Sequence, residues 1–223
     1  MKMPPVSHSG LSKFETCPRQ YYLTKVAKTV VEPATVHTDW GNVVHKALED
    51  RIMRGTPLPE GMDQYEPIVL KLLGKRATVA AEQKLAPTRN MEETYWDDPD
   101  AWVRAILDVV VDGGKSVYLA DWKTGKVKYD HDQLDMCSLI YMAARPEVQK
   151  VKSSYIWLKF GKVTTDEMRR EDTPKAWEKL IGRIAKLEEA YETDVWLPKT
   201  SGLCNGWCPV GPTNCPHWKP KRQ

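Results

Sequence analysis

Residues 105–126 read Ala-Ile-Leu-Asp-Val-Val-Val-Asp-Gly-Gly-Lys-Ser-Val-Tyr-Leu-Ala-Asp-Trp-Lys-Thr-Gly-Lys. Two apolar, β-branched runs separated by Asp112-Gly113-Gly114-Lys115 are the signature of a β-hairpin. With Gly113-Gly114 as a two-residue loop, Asp112 pairs with Lys115 and Asp108 falls opposite Leu119. Strand alternation then puts Asp108, Leu119, Asp121 and Lys123 on one face. On that register Asp108 and Asp121 are diagonal cross-strand neighbours with Cβ atoms somewhat under about 7–8 Å apart, near enough to share one small divalent cation. A three-residue turn would reverse the parity and send the two acids to opposite faces.

Two carboxylates in apolar strands repel each other and are costly to bury unless a cation neutralises them. Mg²⁺ or Mn²⁺ is the economical neutraliser. An ion held this way lowers the pKa of a water and offsets charge building on a phosphate, which fits phosphodiester hydrolysis, with Lys123 positioning the water or stabilising the transition state. The competing reading has the aspartates capping or edging the strands and Lys123 in a surface ion pair. Spacing alone does not separate the two.

Outward from the hairpin, the spacing predicts helices near Ser9–Lys25 with a break at Pro18, from Thr38 or Asp39 to Gly55 through Val44, Leu48 and Ile52, and at Asp63–Lys75. It also predicts a strand over Thr78–Leu85 carrying Glu82, a helix over Asp130–Ala144, a strand over Val151–Phe160, and an amphipathic helix from Thr173 and Pro174 to Tyr191. Mixed elements around a central hairpin indicate an α/β or α+β domain. No linker splits the 223 residues, so one domain is expected.

The net charge of +3, from 33 basic and 30 acidic residues, is too mild to indicate nucleic acid by itself. Local basic groups are Lys159 and Lys162, Arg169 and Arg170, and Lys219-Pro220-Lys221-Arg222, which are usually solvated surface. No window is long and apolar enough to span a bilayer, so no membrane partner is expected and a soluble, intracellular protein is. In a reducing cytosol, three cysteines within twelve residues (Cys204, Cys208, Cys215) read as metal or cluster ligands and not as disulfides. Cys137 lies within a helical pattern and reads as core.

The string Asp121-Trp122-Lys123-Thr124-Gly125-Lys126, thirteen residues after Asp108, resembles the signature of PD-(D/E)XK nucleases in its RecB-like form. Gly41-x-x-x-His45-x-x-x-Glu49 resembles the helix motif that brings a histidine to the metal in that group. Ser9-x-Leu11-x-x-Phe14-x-x-Cys17-Pro18-x-x-Tyr21 resembles the N-terminal segment of RecB-like exonucleases that carry an iron–sulfur cluster, CRISPR-associated members and phage-encoded relatives among them. The resemblance implies a restriction-endonuclease-like core with a mixed sheet flanked by helices. It implies that Asp108, Asp121, the Trp122 carbonyl and His45 hold the metal and that Lys123 is the catalytic lysine. Glu82 corresponds to an acid on the preceding strand, or else is a surface residue. Gln133 corresponds to the glutamine of a Gln-x-x-x-Tyr motif that positions the substrate strand; Cys137 stands at the tyrosine's place, with Tyr141 one turn on. Ala105 stands where glycine is common.

The implied substrate is DNA, as ends or single strands, in a bacterial or phage-infected host cytosol, with a recombination, replication or CRISPR adaptation protein as a possible partner. For His45 alone the plainer alternative is a surface pair with Glu49, worth little.

Four thiolates complete a [4Fe–4S] site, and Cys17 is the distant partner for Cys204, Cys208 and Cys215. Residues 1–25 and 200–218 would then form a clasp joining the chain's ends. The gaps within the C-terminal trio are each one residue longer than is common in the family. Structural Zn²⁺ is the rival, with His8 and His217 as further ligands, although zinc sites are usually two close-spaced pairs. Lys123-Thr124-Gly125-Lys126 lacks the order of a phosphate-binding loop, and no nucleophile elbow is present. Two alternatives stand beside a metal-dependent exonuclease: a structure-specific endonuclease of the same fold, and a non-catalytic, zinc-stabilised DNA-binding adaptor.

Overall fold

The computed structural model describes residues 2–33, 36–128 and 130–221; Arg222 of the basic tail lies outside them. In chain order the helices are α1 (His8–Thr16), α2 (Pro18–Tyr21), α3 (Val36–Arg54), α4 (Glu66–Leu73), α5 (Asp132–Ala144), α6 (Thr173–Thr193) and α7 (Gly211–Asn214). The strands are β1 (Thr78–Pro87), β2 (Glu93–Thr94), β3 (Ala105–Asp112), β4 (Ser116–Lys123), β5 (Lys150–Trp157) and β6 (Lys162–Arg169). The chain forms two compact units, residues 35–178 and, from its two ends, 1–34 with 179–223.

The 35–178 unit is built on a six-stranded sheet in the order β2-β1-β3-β4-β5-β6. Every neighbouring pair is antiparallel except β4 and β5, which run parallel. A parallel pair needs a crossover, and α5 supplies it. One sheet face packs Val109, Val111, Ala120, Trp122 and Ile156 against Val44 and Leu48 of α3 and Val69 and Leu72 of α4. On the other face Leu134 of α5 packs against Tyr155 and Trp157. The expected α/β class is therefore the one observed: a mixed sheet with helices on both faces.

The hairpin register differs from the expected one. Asp112 pairs with Val117, and Gly113 donates its N–H to the Ser116 carbonyl at 3.1 Å, so the two turn residues are Gly114 and Lys115. The Asp112 side chain decides this. Its Oδ1 accepts the Gly114 N–H at 2.7 Å, an Asx turn that draws Gly114 into the left-handed region at φ +81°. The first strand gains one residue at the turn and the second loses one, so every partner shifts by two residues and the parity of faces survives. Asp108 now stands directly opposite Asp121, not diagonal to it. β6 gave no apolar signal, because it is an edge strand of Lys-Val-Thr-Thr-Asp-Glu-Met-Arg in which Met168 alone is buried; backbone pairing to β5 along its whole length makes it a strand.

In the second unit Ser7 caps α1, its Oγ accepting the Gly10 N–H, and Pro18 occupies the first turn of α2 as its missing N–H allows. A short π-helical turn (Tyr22–Val26) follows. Tyr21 and Tyr22 stack on Trp196 with centroids 6.0 and 5.2 Å apart, and Phe14 and Tyr191 meet Trp196 edge-on. Arg183 grips Glu15 through two hydrogen bonds of 2.7 and 2.8 Å.

Candidate metal centre and cysteine clasp

The register aligns three acids across three strands. Ala81 pairs with Val109 and Gln83 with Leu107, so Glu82 of β1 faces Asp108 of β3, which faces Asp121 of β4. Glu82 has φ +52°, a left-handed conformation in mid-strand. Such a conformation costs roughly 1–3 kcal/mol for a non-glycine residue and persists where surrounding structure imposes it. Glu82, Asp108 and His45 are all half-buried and bring one ligand atom each to within 4.8 Å of one another. No signal in the sequence marks the Glu82 backbone.

His45 enters from α3, held by the burial of Val44 and Leu48 on either side of it. Its Nε2–H donates to the Trp122 carbonyl at 3.0 Å, and its Nδ1 lies 3.4 Å from Asp108 Oδ2. Asp108 Oδ2 also accepts the Trp122 N–H at 2.8 Å. Burial opposes a charge on His45, but the Asp108 and Asp121 carboxylates and the Trp122 carbonyl outweigh it and hold the imidazole above its usual pKa. Glu82 is pushed up by burial and then by the Asp108 charge.

Asp121 is the most confined of the acids. Burial, then Asp108, push its pKa up to about 6. Its Oδ1 accepts the Gln133 amide at 2.5 Å. Its Oδ2 lies 2.6 Å from Lys123 Nζ yet is buried and accepts no hydrogen bond, so this contact is an ion pair without hydrogen-bond geometry. Lys123 donates instead to Gln133 Oε1 at 2.9 Å, and its ammonium stands 4.9 Å from the Tyr155 ring centroid. Tyr155 stands beside these groups although no motif singles it out; only the parallel register, which pairs it with Asp121, reveals it.

The structure thus brings together His45, Glu82, Asp108, Asp121, the Trp122 carbonyl, Lys123 and Gln133. It does not bring Tyr141. Eight residues separate Tyr141 from Gln133, about 12 Å along a helix. Tyr141 is 1% exposed and donates its hydroxyl to Asp112 Oδ2 at 2.8 Å, beside the hairpin turn. A substrate-binding role for Tyr141 is therefore corrected to a structural one. Cys137 is buried, its thiol pushed up by burial and by the charges of Asp121 and Asp108.

Three facing acids and a histidine, with ligand atoms of His45, Glu82 and Asp108 within 4.8 Å of one another, form a hard, oxygen-rich donor set. That set fits a divalent cation of the Mg²⁺ or Mn²⁺ kind.

Cys17, Cys204, Cys208 and Cys215 line one cavity in the second unit, all half-buried and none in a disulfide. Lys199 and Ser201 direct backbone N–H groups at Cys17 Sγ and Cys204 Sγ at 3.4 and 3.5 Å. Burial pushes the Cys208 thiol up; the Val210 N–H opposes this, and the other three cysteines add to it. His217 lines the same cavity, and His8 is not among its lining residues. The donor set, four thiols with amide groups directed at sulfur, fits a thiolate-held cluster or ion.

A model of the PD-(D/E)XK nuclease superfamily matches residues 5–216. None of the curated proteins matches the chain. Among solved structures, SSO0001 aligns at 13% identity with a TM-score of 0.50, over 98% of this chain and 89% of that one. A Eubacterium rectale protein, named a candidate exonuclease, aligns at 11% identity with a TM-score of 0.55, over 91% and 86%. At these identities both speak to the fold. Among the described residues no helix is long and apolar enough to cross a membrane.

Proposed function

Because the chain belongs to the PD-(D/E)XK nuclease superfamily, we propose that it is a Mg²⁺- or Mn²⁺-dependent DNA exonuclease of the RecB-like kind, acting in end processing during recombination, repair or replication. The observation that carries this reading is the row of Glu82, Asp108 and Asp121 across three strands, with His45 bridging Asp108 and the Trp122 carbonyl and Lys123 against Asp121. The family match runs through both compact units, which supports residues 1–223 working as one nuclease domain.

In this reading His45, Glu82, Asp108, Asp121 and the Trp122 carbonyl would hold the divalent ion, which when bound would lower the pKa of a water and offset charge on the scissile phosphate. Lys123 holds its ammonium at the edge of the acid row, where it can orient the attacking water or meet the negative charge of the transition state. Gln133 fixes the distance between Asp121 and Lys123 by bonding both, and Tyr155 shields one side of the ammonium from solvent. The apolar wall of Leu107, Leu119 and Leu134 keeps the carboxylates out of bulk water and strengthens their hold on a cation.

The cysteines are assigned to one [4Fe–4S] cluster with a structural role. No three of the described Cys, His, Asp or Glu side chains other than His45, Glu82 and Asp108 bring ligand atoms mutually within 4.8 Å. In every trio of the four sulfurs at least one pair is therefore more than 4.8 Å apart, beyond the roughly 3.8 Å edges of a ZnS₄ tetrahedron with bonds of about 2.3 Å. This favours the larger inorganic core over Zn²⁺.

Digestion of end-labelled linear and circular DNA with Mg²⁺, with Mn²⁺ and with EDTA tests the activity. The expected result is metal-dependent release of short products from linear DNA alone. Cleavage of circular strands would turn the assignment to an endonuclease, and DNA binding without cleavage under any metal would turn it to an adaptor.

A further inference from the structure

The sheet face that carries Glu82 and Asp108 continues past them, away from the Gly114 turn. Lys84 pairs with Ile106, and alternation keeps Lys84, Ile106 and, one step before β3, Arg104 on that same face. Lys84 lies two residues from Glu82, about 6.6 Å at roughly 3.3 Å per residue. Lys84 is exposed, and Ile106 is 41% exposed, so the face opens to solvent where it leaves the metal centre.

Trp96 lies over this opening. Lys84 Nζ stands 5.5 Å from its ring centroid and the Arg104 guanidinium 4.9 Å, so one indole meets two cations. Two like charges converging on one ring repel each other. Among the described residues neither has a carboxylate partner, although Glu82 and Asp108 are close along the strands. Next to them Tyr95 is 86% exposed. A plain solvated surface has no need to gather paired, unneutralised cations and a bare aromatic ring beside a row of acids.

Resting on the nuclease reading, we propose that Lys84, Arg104, Trp96 and Tyr95 form the track by which single-stranded DNA reaches the metal centre. Lys84 and Arg104 take successive phosphates, Trp96 holds the two cations in place, and Tyr95 stacks an unpaired base. The track supplies the positive charge that the acid row lacks, so the strand is drawn to a centre that would otherwise repel it. Stacking needs a base freed from its partner, which selects single strands over duplex.

Fluorescence anisotropy of a labelled single-stranded oligonucleotide, in EDTA so that nothing is cut, tests the track in the full chain. Lys84→Ala with Arg104→Ala should weaken binding at least about tenfold and reduce the log–log salt slope by about 1.4, two contacts at ~0.7 each. Tyr95→Ala should lose about fivefold or more for the single strand with little change for duplex, and Tyr95→Phe should keep wild-type affinity. Unchanged affinity and slope in the double variant, with an unchanged melting temperature, overturn the track. Equal losses for single strand and duplex overturn the single-strand preference. The two readings fail separately: wild-type protein that cleaves DNA with Mg²⁺ while the variants bind normally loses the track and keeps the nuclease, whereas wild-type protein that neither binds nor cleaves loses both.

Discussion

The candidate metal centre and the four-cysteine cavity, the proposed clasp, are held by different means. At the centre, Glu82, Asp108 and Asp121 stand on three hydrogen-bonded strands, and His45 on a helix packed into the core. The clasp has no such frame: Cys17 is the joint between α1 and α2, Cys204 ends a single 3₁₀ turn, and Cys215 ends the one-turn α7. Regular backbone pairing can hold acids in place without an ion, even at the cost of their mutual repulsion. Loop thiols depend on what they bind, so binding energy there is folding energy.

The sharpest way to break this comparison is at the acid row. Asp108→Ala, Asp121→Ala and Lys123→Ala should each lower turnover on DNA by at least about a hundredfold. The melting temperature of the metal-free protein should hold, because the sheet frames the site and removing Asp121 relieves a buried charge. Turnover and melting temperature falling together would mean that the site holds the fold, and the contrast would be lost.

The clasp should behave in the reverse way. Cys17→Ser or Cys208→Ser should lower iron content and melting temperature together, and cleavage only in proportion to the folded fraction. Cys137→Ser should leave iron unchanged, since Cys137 lies in the other unit. Stoichiometric zinc without iron or acid-labile sulfide in anaerobically prepared protein would move the clasp to the zinc reading and leave the metal centre untouched.

A smaller effect is expected at His45. His45→Ala should raise the metal concentration needed for half-maximal cleavage about tenfold while DNA affinity in EDTA stays the same. An unchanged metal titration would return His45 to a hydrogen-bonding role between Trp122 and Asp108.

The same contrast explains what could be read in advance. Hairpin parity was legible because two apolar runs flank a short glycine turn, and parity alone puts Asp108, Asp121 and Lys123 on one face. The register was off by one residue per strand, because the Asp112 side chain selects which glycine opens the turn. Glu82 was visible as an acid on β1, but its left-handed backbone and its approach to His45 follow from pairing across the sheet. Tyr141 shows the limit from the other side: proximity in sequence to Gln133 counted for less than the two turns of helix between them. Cys204, Cys208 and Cys215 were legible as a group through their spacing, and Cys17 only through the resemblance of the segment around it, since these loops carry no period to count.

The smallest predicted effect tests whether the strand ladder, and not the turn, sets the acid row. Gly114 sits at φ +81°, and no heavy atom lies within 4 Å of where a Cβ would stand, so a side chain there meets no clash and the only cost is the left-handed backbone. Gly114→Ala should cost about 1–2 kcal/mol, and for a chain of this size each 1 kcal/mol lowers the melting temperature by roughly 2–4 °C. Gly114→Asn should cost less, since asparagine tolerates that region. The Asp112 to Gly114 hydrogen bond uses the backbone N–H, which both variants keep. Metal-dependent turnover should therefore stay at the wild-type level in both. A drop in turnover that tracks the loss of stability from Asn to Ala would place control of the register in the turn, and the metal centre would then depend on a loop just as the clasp does.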